Sequence, residues 1–246
     1  MSLRKLYAPA LLFSLTLLFA PRAAAQTADA RAQAAAEIAS LRAQIKAKEP
    51  ALLSTAKEDR RAHAAFLAQP GTGLVRLLPR EKWDGVLSTR GGGAYYSFTR
   101  LRHEYDYGTN IGFEQGRLSA RLAGASFGFL TNLGDTPLET VTAETEAVQF
   151  MASYKVPTFE PDARKSQMQF MGAGYEAGGA AYKDTMPVSV GSTYALRSVE
   201  YKNSDVLVAF RVVRKDSDGS IVLLWKMLQE FPKPELQRNV AAAGGR

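Results

Sequence analysis

The 246-residue chain contains no cysteine, and this absence excludes several kinds of chemistry. A chain without thiols forms no disulfide, offers no thiol nucleophile and provides no cysteine ligand for zinc or an iron–sulfur cluster. It also lacks the cysteine at which a bacterial lipoprotein is acylated. Its two histidines, His63 and His103, are forty residues apart, so we predict neither a metal site nor a cofactor.

Long apolar runs are also lacking, apart from one at the start of the chain. Residues 6–20 are almost all apolar, follow Arg4 and Lys5, and precede the three small residues 23–25. This order is typical of a secretory signal peptide, and the run is shorter than the roughly twenty residues of a membrane-spanning helix. We therefore predict a signal peptide at 1–25 and a soluble bacterial protein of the periplasm or the extracellular medium, with no transmembrane anchor in the mature chain.

The chain has only a small excess of positive charge. The formal net charge is +7, and three of the positive residues, Arg4, Lys5 and Arg22, lie in the predicted signal peptide, which leaves +4 for the remainder. The basic residues are spread along the chain, which indicates a solvated surface and not a polyanion-binding patch. Together with the export signal, this argues against nucleic acid as a partner. A hydrophobic content of 46% is sufficient for an ordinary core.

Glycine is absent from residues 27–69, where alanine is abundant. Apolar side chains recur there at spacings of three, four and seven, at Ile38, Leu41, Ile45 and Leu52. This pattern predicts a helical segment over 26–70, which Pro50 either divides or continues as the first turn of a second helix. The segment is expected to form a helical hairpin or a helix packed on the following domain. Oligomerisation through residues 27–69 is a further possibility.

The rest of the chain, from 71 to 234, has a mainly β pattern. Strands are predicted at 94–105, 111–115 and 118–122, and three more at 187–201, 205–215 and 220–229 form an antiparallel meander with a central middle strand. Helices are predicted at 142–155 and near 162–171, the glycine-rich stretch 172–182 reads as a loop, and 235–246 as a flexible tail. The predicted fold class is α+β, with about six to eight mainly antiparallel strands closed as a sandwich or half-barrel and one or two inserted helices.

Two motifs resemble functional ones but lack the required chemistry. Ser126 lies in a G-x-S-x-G pattern, yet both histidines precede it, whereas a hydrolase of that type needs a later histidine to accept the hydroxyl proton. Residues 216–221 resemble the middle of a calcium-binding EF-hand loop, but Arg214 and Trp225 occupy its two terminal ligand positions. We interpret Ser126 as part of a strand or turn, and 216–221 as a hairpin loop in which Gly219 is left-handed.

The most conspicuous stretch is RGGGAYYSFTRLRHEYDYGTN, residues 90–110. Its three glycines lack a following lysine and helix, so they predict a bend or a close backbone approach and not a phosphate site. If residues 94–107 form one strand, alternate side chains lie on opposite faces. One face carries four candidate ligand-binding residues, and the other carries two arginines that could pair across strands or hold an anion. The binding candidates are Tyr95, His103, Tyr105, Tyr107, Arg100 and Arg102, and no catalytic residue is assigned.

Three hypotheses about function remain open. The leading one is a non-enzymatic binding protein whose tyrosine face contacts a partner protein of the envelope, a peptide or a glycan, although such a stripe is more often half-buried packing. The second is a hydrolase of envelope or extracellular polymers that uses carboxylate chemistry, with Glu104, Asp106 and Glu114 as the acids to test. The third is a structural or assembly role of the N-terminal helices.

Overall fold

The computed structural model describes residues 28–120 and 123–237 and shows an α+β fold. Helix α1 (Ala28–Leu53) has Pro50 in its last turn, and α2 (Lys57–Ala62) and α3 (Ala64–Leu67) follow it. All three lie within the predicted helical segment. The predicted signal peptide and the last nine residues of the predicted tail lie outside the described residues. The described residues fall into two units, 28–40 and 41–237, and the second contains every strand and every helix except the start of α1.

Twelve strands and three further helices lie in the described residues after α3. The strands are β1 (Thr72–Leu77), β2 (Tyr95–Ser97), β3 (Arg102–His103), β4 (Ile111–Glu114), β5 (Arg117–Ser119), β6 (Phe127–Asn132), β7 (Tyr175–Ala177), β8 (Ala180–Tyr182), β9 (Thr185–Pro187), β10 (Thr193–Glu200), β11 (Ser204–Lys215) and β12 (Ile221–Glu230). The helices are α4 (Arg80–Trp83), α5 (Glu146–Ser153) and α6 (Glu160–Phe170), and a 3-10 turn spans Leu138–Thr140.

The central sheet has the order β1-β12-β11-β10-β6, and all of its neighbours are antiparallel. Consecutive strands β10, β11 and β12 form the meander that the sequence predicts, with β11 in the middle. Side chains alternate between the two faces of β11, so Val208 and Phe210 lie in one core and Leu207 and Ala209 in the other. Both faces are buried over the middle of this strand, and residues 206–210 are accordingly all apolar, as a central strand requires.

Each face of the central sheet is covered by a different layer. A second antiparallel sheet of order β3-β2-β4-β5-β9 packs on one face through Phe98, Ile111, Phe113 and Leu118. Helices α5 and α6 and the β7–β8 hairpin cover the other face through a separate apolar cluster that includes Val148, Phe170 and Tyr182. The two sheets therefore form the sandwich-like part of the fold, and the helices add a third layer.

Three details of the predicted secondary structure are wrong. Residues 94–107 do not form one strand, because the chain turns back between β2 and β3 and these two strands pair with each other. Leu101 in this turn has a φ of +54°, and the backbone N–H of Phe98 donates a hydrogen bond to the side chain of Asn110. The stretch 172–182 is not a loop, since it contains the β7–β8 hairpin. The predicted strand 187–201 is divided between β9 and β10 by a turn at Gly191.

Candidate functional site

The candidate site lies beside β2, at the end of the glycine run 91–93. All three glycines have positive φ angles, which favour glycine over other residues. A Cβ on Gly92 would lie 2.3 Å from the backbone of Trp83, and a Cβ on Gly91 would lie 2.6 Å from the ring of Tyr95. The run therefore bends the chain where two segments approach closely, as the sequence predicts, and brings the segment after α4 against β2.

Tyr95 forms the inner wall of this site. Its ring packs between Gly91 and Gly112, since a Cβ on either glycine would lie less than 3 Å from the ring. The ring of Tyr105 lies 4.6 Å away, centroid to centroid. The Tyr95 hydroxyl donates a hydrogen bond to the carboxylate of Glu114 on β4, and the side chain is 5% exposed. Both faces of this ring are consequently covered by protein.

Two guanidinium groups lie over the Tyr105 ring and pair with carboxylates. The guanidinium carbon of Arg80 lies 5.5 Å from the Tyr105 centroid and 5.7 Å from that of Tyr95, and the one of Arg90 lies 5.0 Å from Tyr105. Arg80 also contacts Glu114 at 3.2 Å, and Arg90 contacts Asp106 at 3.1 Å. Each arginine thus combines an aromatic contact with a carboxylate contact.

These side chains surround a cavity of about 440 Å³, a size within the range of small-ligand sites. We call it the tyrosine cavity. It is lined by Arg80, Arg90, Tyr95, Tyr105, Asp106, Thr109, Glu114, Ala123 and Glu200. A neighbouring recess of about 280 Å³ shares Arg80 and Glu114 with it. The cavity therefore presents guanidinium donors and carboxylate acceptors together around one buried ring, Tyr95, and one partly buried ring, Tyr105.

Three groups of the cavity have shifted pKa values, and that of Arg80 is raised, although burial opposes the rise, by its contacts with Tyr95, Asp84 and Glu114. Burial raises the pKa of Glu200, which is 3% exposed, although the Gly108 backbone N–H and the Asn203 side chain both donate hydrogen bonds to it. Burial and the bond to Glu114 raise the pKa of the Tyr95 hydroxyl, which therefore stays protonated and acts as a donor. The cavity thus contains a buried carboxyl group and a neutral phenol donor.

The structure brings only two of the six candidate binding residues into the cavity, Tyr95 and Tyr105. Arg100 and Arg102 both bind Glu104, and these ion pairs lower the pKa of Glu104, with the bond from Arg102 as the largest cause. Tyr107 is a 65% exposed surface residue. Because β2 and β3 are separate strands, the common tyrosine face expected for residues 94–107 does not exist.

His103 also lies away from the cavity. Its Nε2 is 2.7 Å from the backbone carbonyl oxygen of Arg76 on β1, and its ring meets that of Tyr96 edge-on. Of the three acids chosen from the sequence, Asp106 and Glu114 line the cavity and Glu104 does not. Sequence reasoning missed Arg80 and Glu200, because they come from other segments and belong to no motif, and it did not single out Arg90, although that residue begins the stretch 90–110.

The two motifs that lack the required chemistry, Ser126 and the 216–221 loop, make contacts within the fold. The Ser126 hydroxyl accepts a hydrogen bond from the Tyr201 backbone. In the 216–221 loop, Asp216 pairs with Arg214 and Asp218 with Arg76, and Gly219 is left-handed with a φ of +90°. Within residues 28–120 and 123–237, no group of three or more histidine or carboxylate side chains is arranged to hold a metal ion. The acidic residues of this loop are therefore members of ion pairs.

Comparison with known proteins gives no relative, since no family model, curated protein or solved structure matches the chain. In the part of the chain that the structure describes, none of the helices has the length and apolar character needed to span a bilayer. The argument about function therefore depends on the geometry of the tyrosine cavity.

Proposed function

We propose that the protein is an exported, non-enzymatic binding protein and that the tyrosine cavity holds a segment of a glycan. The observation that carries this proposal is the convergence of paired guanidinium and carboxylate groups on one cavity of suitable volume. Export is supported by the sequence pattern of residues 1–25. Sequencing the N-terminus of the protein secreted by its host tests the export part, with Gln26 as the expected first residue.

Hydrogen bonding is the main recognition chemistry that we propose. A sugar hydroxyl both donates and accepts, so it can donate to the Asp106 carboxylate while it accepts from the Arg90 guanidinium. The Arg80–Glu114 pair offers the same combination, and the protonated Tyr95 hydroxyl adds a polar group to this wall. Vicinal hydroxyls of one ring match two such pairs. A peptide has fewer groups that donate and accept at one atom, and for this reason we favour a glycan.

This proposal changes the mechanism expected from the sequence. A sugar ring that stacks its C–H face on an aromatic side chain needs an open aromatic face, but glycines cover Tyr95 and guanidinium groups lie over Tyr105. The aromatic rings hold the two arginines in place, and the arginines and carboxylates contact the ligand. Removing a charged group should therefore weaken binding more than removing the Tyr105 hydroxyl.

A binding assay on an oligosaccharide panel tests the proposal. We expect Arg90→Gln and Asp106→Asn each to weaken binding about tenfold, because each removes one partner of a charge-assisted hydrogen bond. Arg164→Gln is the matched control, since Arg164 forms an exposed ion pair with Glu160 on α6. Equal loss of binding in the control, or unchanged binding in both cavity variants, would show that the tyrosine cavity does not hold the glycan. Binding of peptides in place of sugars would identify the other ligand class.

Hydrolysis of a polysaccharide, catalysed by carboxyl groups of the cavity, is a second candidate function, and the environment of Glu200 favours it. Its raised pKa suits a proton donor, while Asp106 and Glu114 line the same cavity and could activate water. The release of new reducing ends from a bound oligosaccharide tests this candidate. Hydrolysis by the wild type that Glu200→Gln abolishes without loss of binding would establish it, whereas binding without release of reducing ends would exclude it for that substrate.

Assembly through α1 is a third proposal. Leu41 and Ile45 on this helix are 50% and 38% exposed, respectively, which is unusual for large apolar side chains placed at a spacing of four. Light scattering of the mature protein, compared with the Leu41→Gln variant, tests it. A monomer in both samples would show that these side chains are simply solvated.

A further inference from the structure

A second recess in the structure contains His103 and is separate from the residues of the tyrosine cavity. Its volume is about 300 Å³, and it lies among the end of α1, the following loop, β1, β2 and β3. Leu53, Leu74 and Val75 form its apolar wall, and Thr55, Tyr96 and His103 supply polar groups. We call it the histidine groove. Arg60, an exposed residue, is the one formally charged side chain among those that line it.

Three polar groups of this groove lack hydrogen-bond partners among the described residues. The Thr55 hydroxyl is buried without a partner, although Thr55 is only 7% exposed. The Tyr96 hydroxyl makes no hydrogen bond, and burial alone raises its pKa to about 12. His103 uses Nε2 but not Nδ1. Of these three atoms only the Thr55 hydroxyl oxygen is closed to solvent, and its lack of a partner is unusual because buried polar groups are nearly always paired. The Tyr96 hydroxyl and Nδ1 of His103 are not enclosed, so a ligand in the recess can meet them.

The chemistry of His103 defines what that partner must offer. A carbonyl oxygen only accepts, so the 2.7 Å contact to Arg76 requires the proton to be on Nε2. Burial lowers the pKa of the imidazole below its ordinary value, which keeps the ring neutral near pH 7. Nδ1 is then a hydrogen-bond acceptor, while the hydroxyls of Tyr96 and Thr55 can donate. A matching ligand carries a hydroxyl that donates to Nδ1 and accepts from a neighbouring hydroxyl.

We propose that the histidine groove is a binding site for a small uncharged aromatic alcohol of the phenol class. The apolar wall suits an aromatic ring, and the edge-on pair of Tyr96 and His103, 5.5 Å between centroids, offers further edge contacts. A phenol stays neutral at pH 7, because its ordinary pKa is about 10. A charged ligand would lose hydration without gaining a buried counter-charge in this groove.

NMR titration of the full mature protein with p-cresol tests the proposal. The chain has two histidines, so His63 serves as an internal control for the imidazole signals of His103. We expect p-cresol to shift the ring signals of His103 and to leave those of His63 unchanged. Toluene, which has the same ring and methyl group but no hydroxyl, should bind at least about tenfold more weakly, because it leaves Nδ1 unpaired.

Two tyrosine variants give the matched comparison. Tyr96→Phe removes an unpaired hydroxyl, so the fold should be retained while p-cresol binding falls about tenfold. Tyr107→Phe makes the same change at an exposed surface position and should have no effect. The proposal is overturned if p-cresol leaves the His103 signals unchanged at millimolar concentrations. Equal affinities for p-cresol and toluene, or equal losses in the two variants, would also overturn it.

Discussion

The buried ion pair of Arg197 and Asp205 gives the sharpest test of the central sheet. The two residues lie on neighbouring strands β10 and β11, with side chains 1% and 4% exposed. Their contacts are bidentate, at 2.6 and 2.8 Å, and the guanidinium also donates to the Met151 carbonyl at 3.0 Å. Burial opposes both charges, since it lowers the pKa of Arg197 and raises that of Asp205. Neither residue can therefore be replaced alone without leaving an uncompensated group.

Asp205→Asn keeps the size of the side chain and removes its charge. The unpaired Arg197 should then cost about 3–5 kcal/mol of the free energy of unfolding, as measured for broken buried pairs. If the free energy of unfolding falls by roughly 2 kcal/mol for each molar of urea, the unfolding midpoint should fall by about 2 M. The double variant Arg197→Met with Asp205→Leu should recover most of this loss, because apolar residues replace both charges.

Urea denaturation followed by circular dichroism measures both effects. A loss below about 1 kcal/mol in Asp205→Asn would show that this pair is exposed to solvent, as surface pairs contribute no more than that. It would refute the register in which Asp205, paired with Val199, lies diagonally across from Arg197, paired with Leu207. A double variant no more stable than the single one would refute the argument that the unpaired charge causes the loss.

Three further predictions concern the site and its surroundings. Gly112→Ala should lower stability by about 1–3 kcal/mol and weaken glycan binding, because its Cβ would lie 2.7 Å from the Tyr95 ring; calorimetry and the panel assay check this. Glu49→Ala should destabilise the protein by about 2 kcal/mol in urea unfolding, since this buried residue of α1 accepts hydrogen bonds from Ser88 and Thr89. The pKa of Glu200 is raised in the folded state, so above pH 4.5 the folded protein keeps a proton on Glu200 that the unfolded chain has released. The contribution of Glu200 to stability therefore falls as the pH rises from 4.5 towards the pKa of the folded state. The stability advantage of the wild type over Glu200→Gln should therefore shrink between pH 4 and pH 7 in urea titrations, and an advantage that grows would contradict the raised pKa.

Strands and helices whose buried apolar side chains recur at a regular spacing could be predicted from the sequence. Strand β11 reads as central because apolar residues occupy both of its alternating faces, and the structure buries both. Helix α5 was expected from its spaced apolar residues, and Val148 and Met151 are buried as that spacing requires. In both elements the local pattern and the burial agree, so a single sequence was sufficient.

The turn between β2 and β3 could not be predicted, because its cause lies outside the local pattern. Phe98 alternates correctly for one continuous strand, but its backbone N–H donates to Asn110, twelve residues later. Leu101, at a φ of +54°, occupies a conformation that a large side chain rarely adopts. Tertiary contacts therefore override the strand pattern of residues 94–107, and the two-faced arrangement derived from it fails.

The candidate site was predicted only in part for a similar reason. Tyr95 and Tyr105 stood out because aromatic residues cluster in this stretch, and both line the cavity. Arg80 precedes the aromatic cluster by fifteen residues, and Glu200 follows it by about a hundred. Glu200 reaches the cavity because β10 packs beside the 105–109 loop. No spacing rule joins such residues, so only the fold could bring them together.

The most direct test of the central claim is to map the contact surface of the best-binding oligosaccharide by NMR chemical-shift changes on a protein that comprises residues 26–246. The account predicts that the largest changes cluster at Arg80, Arg90, Tyr105 and Asp106. Tight binding with the largest changes elsewhere, or the absence of any oligosaccharide that binds, would contradict the assignment of the tyrosine cavity as a glycan site.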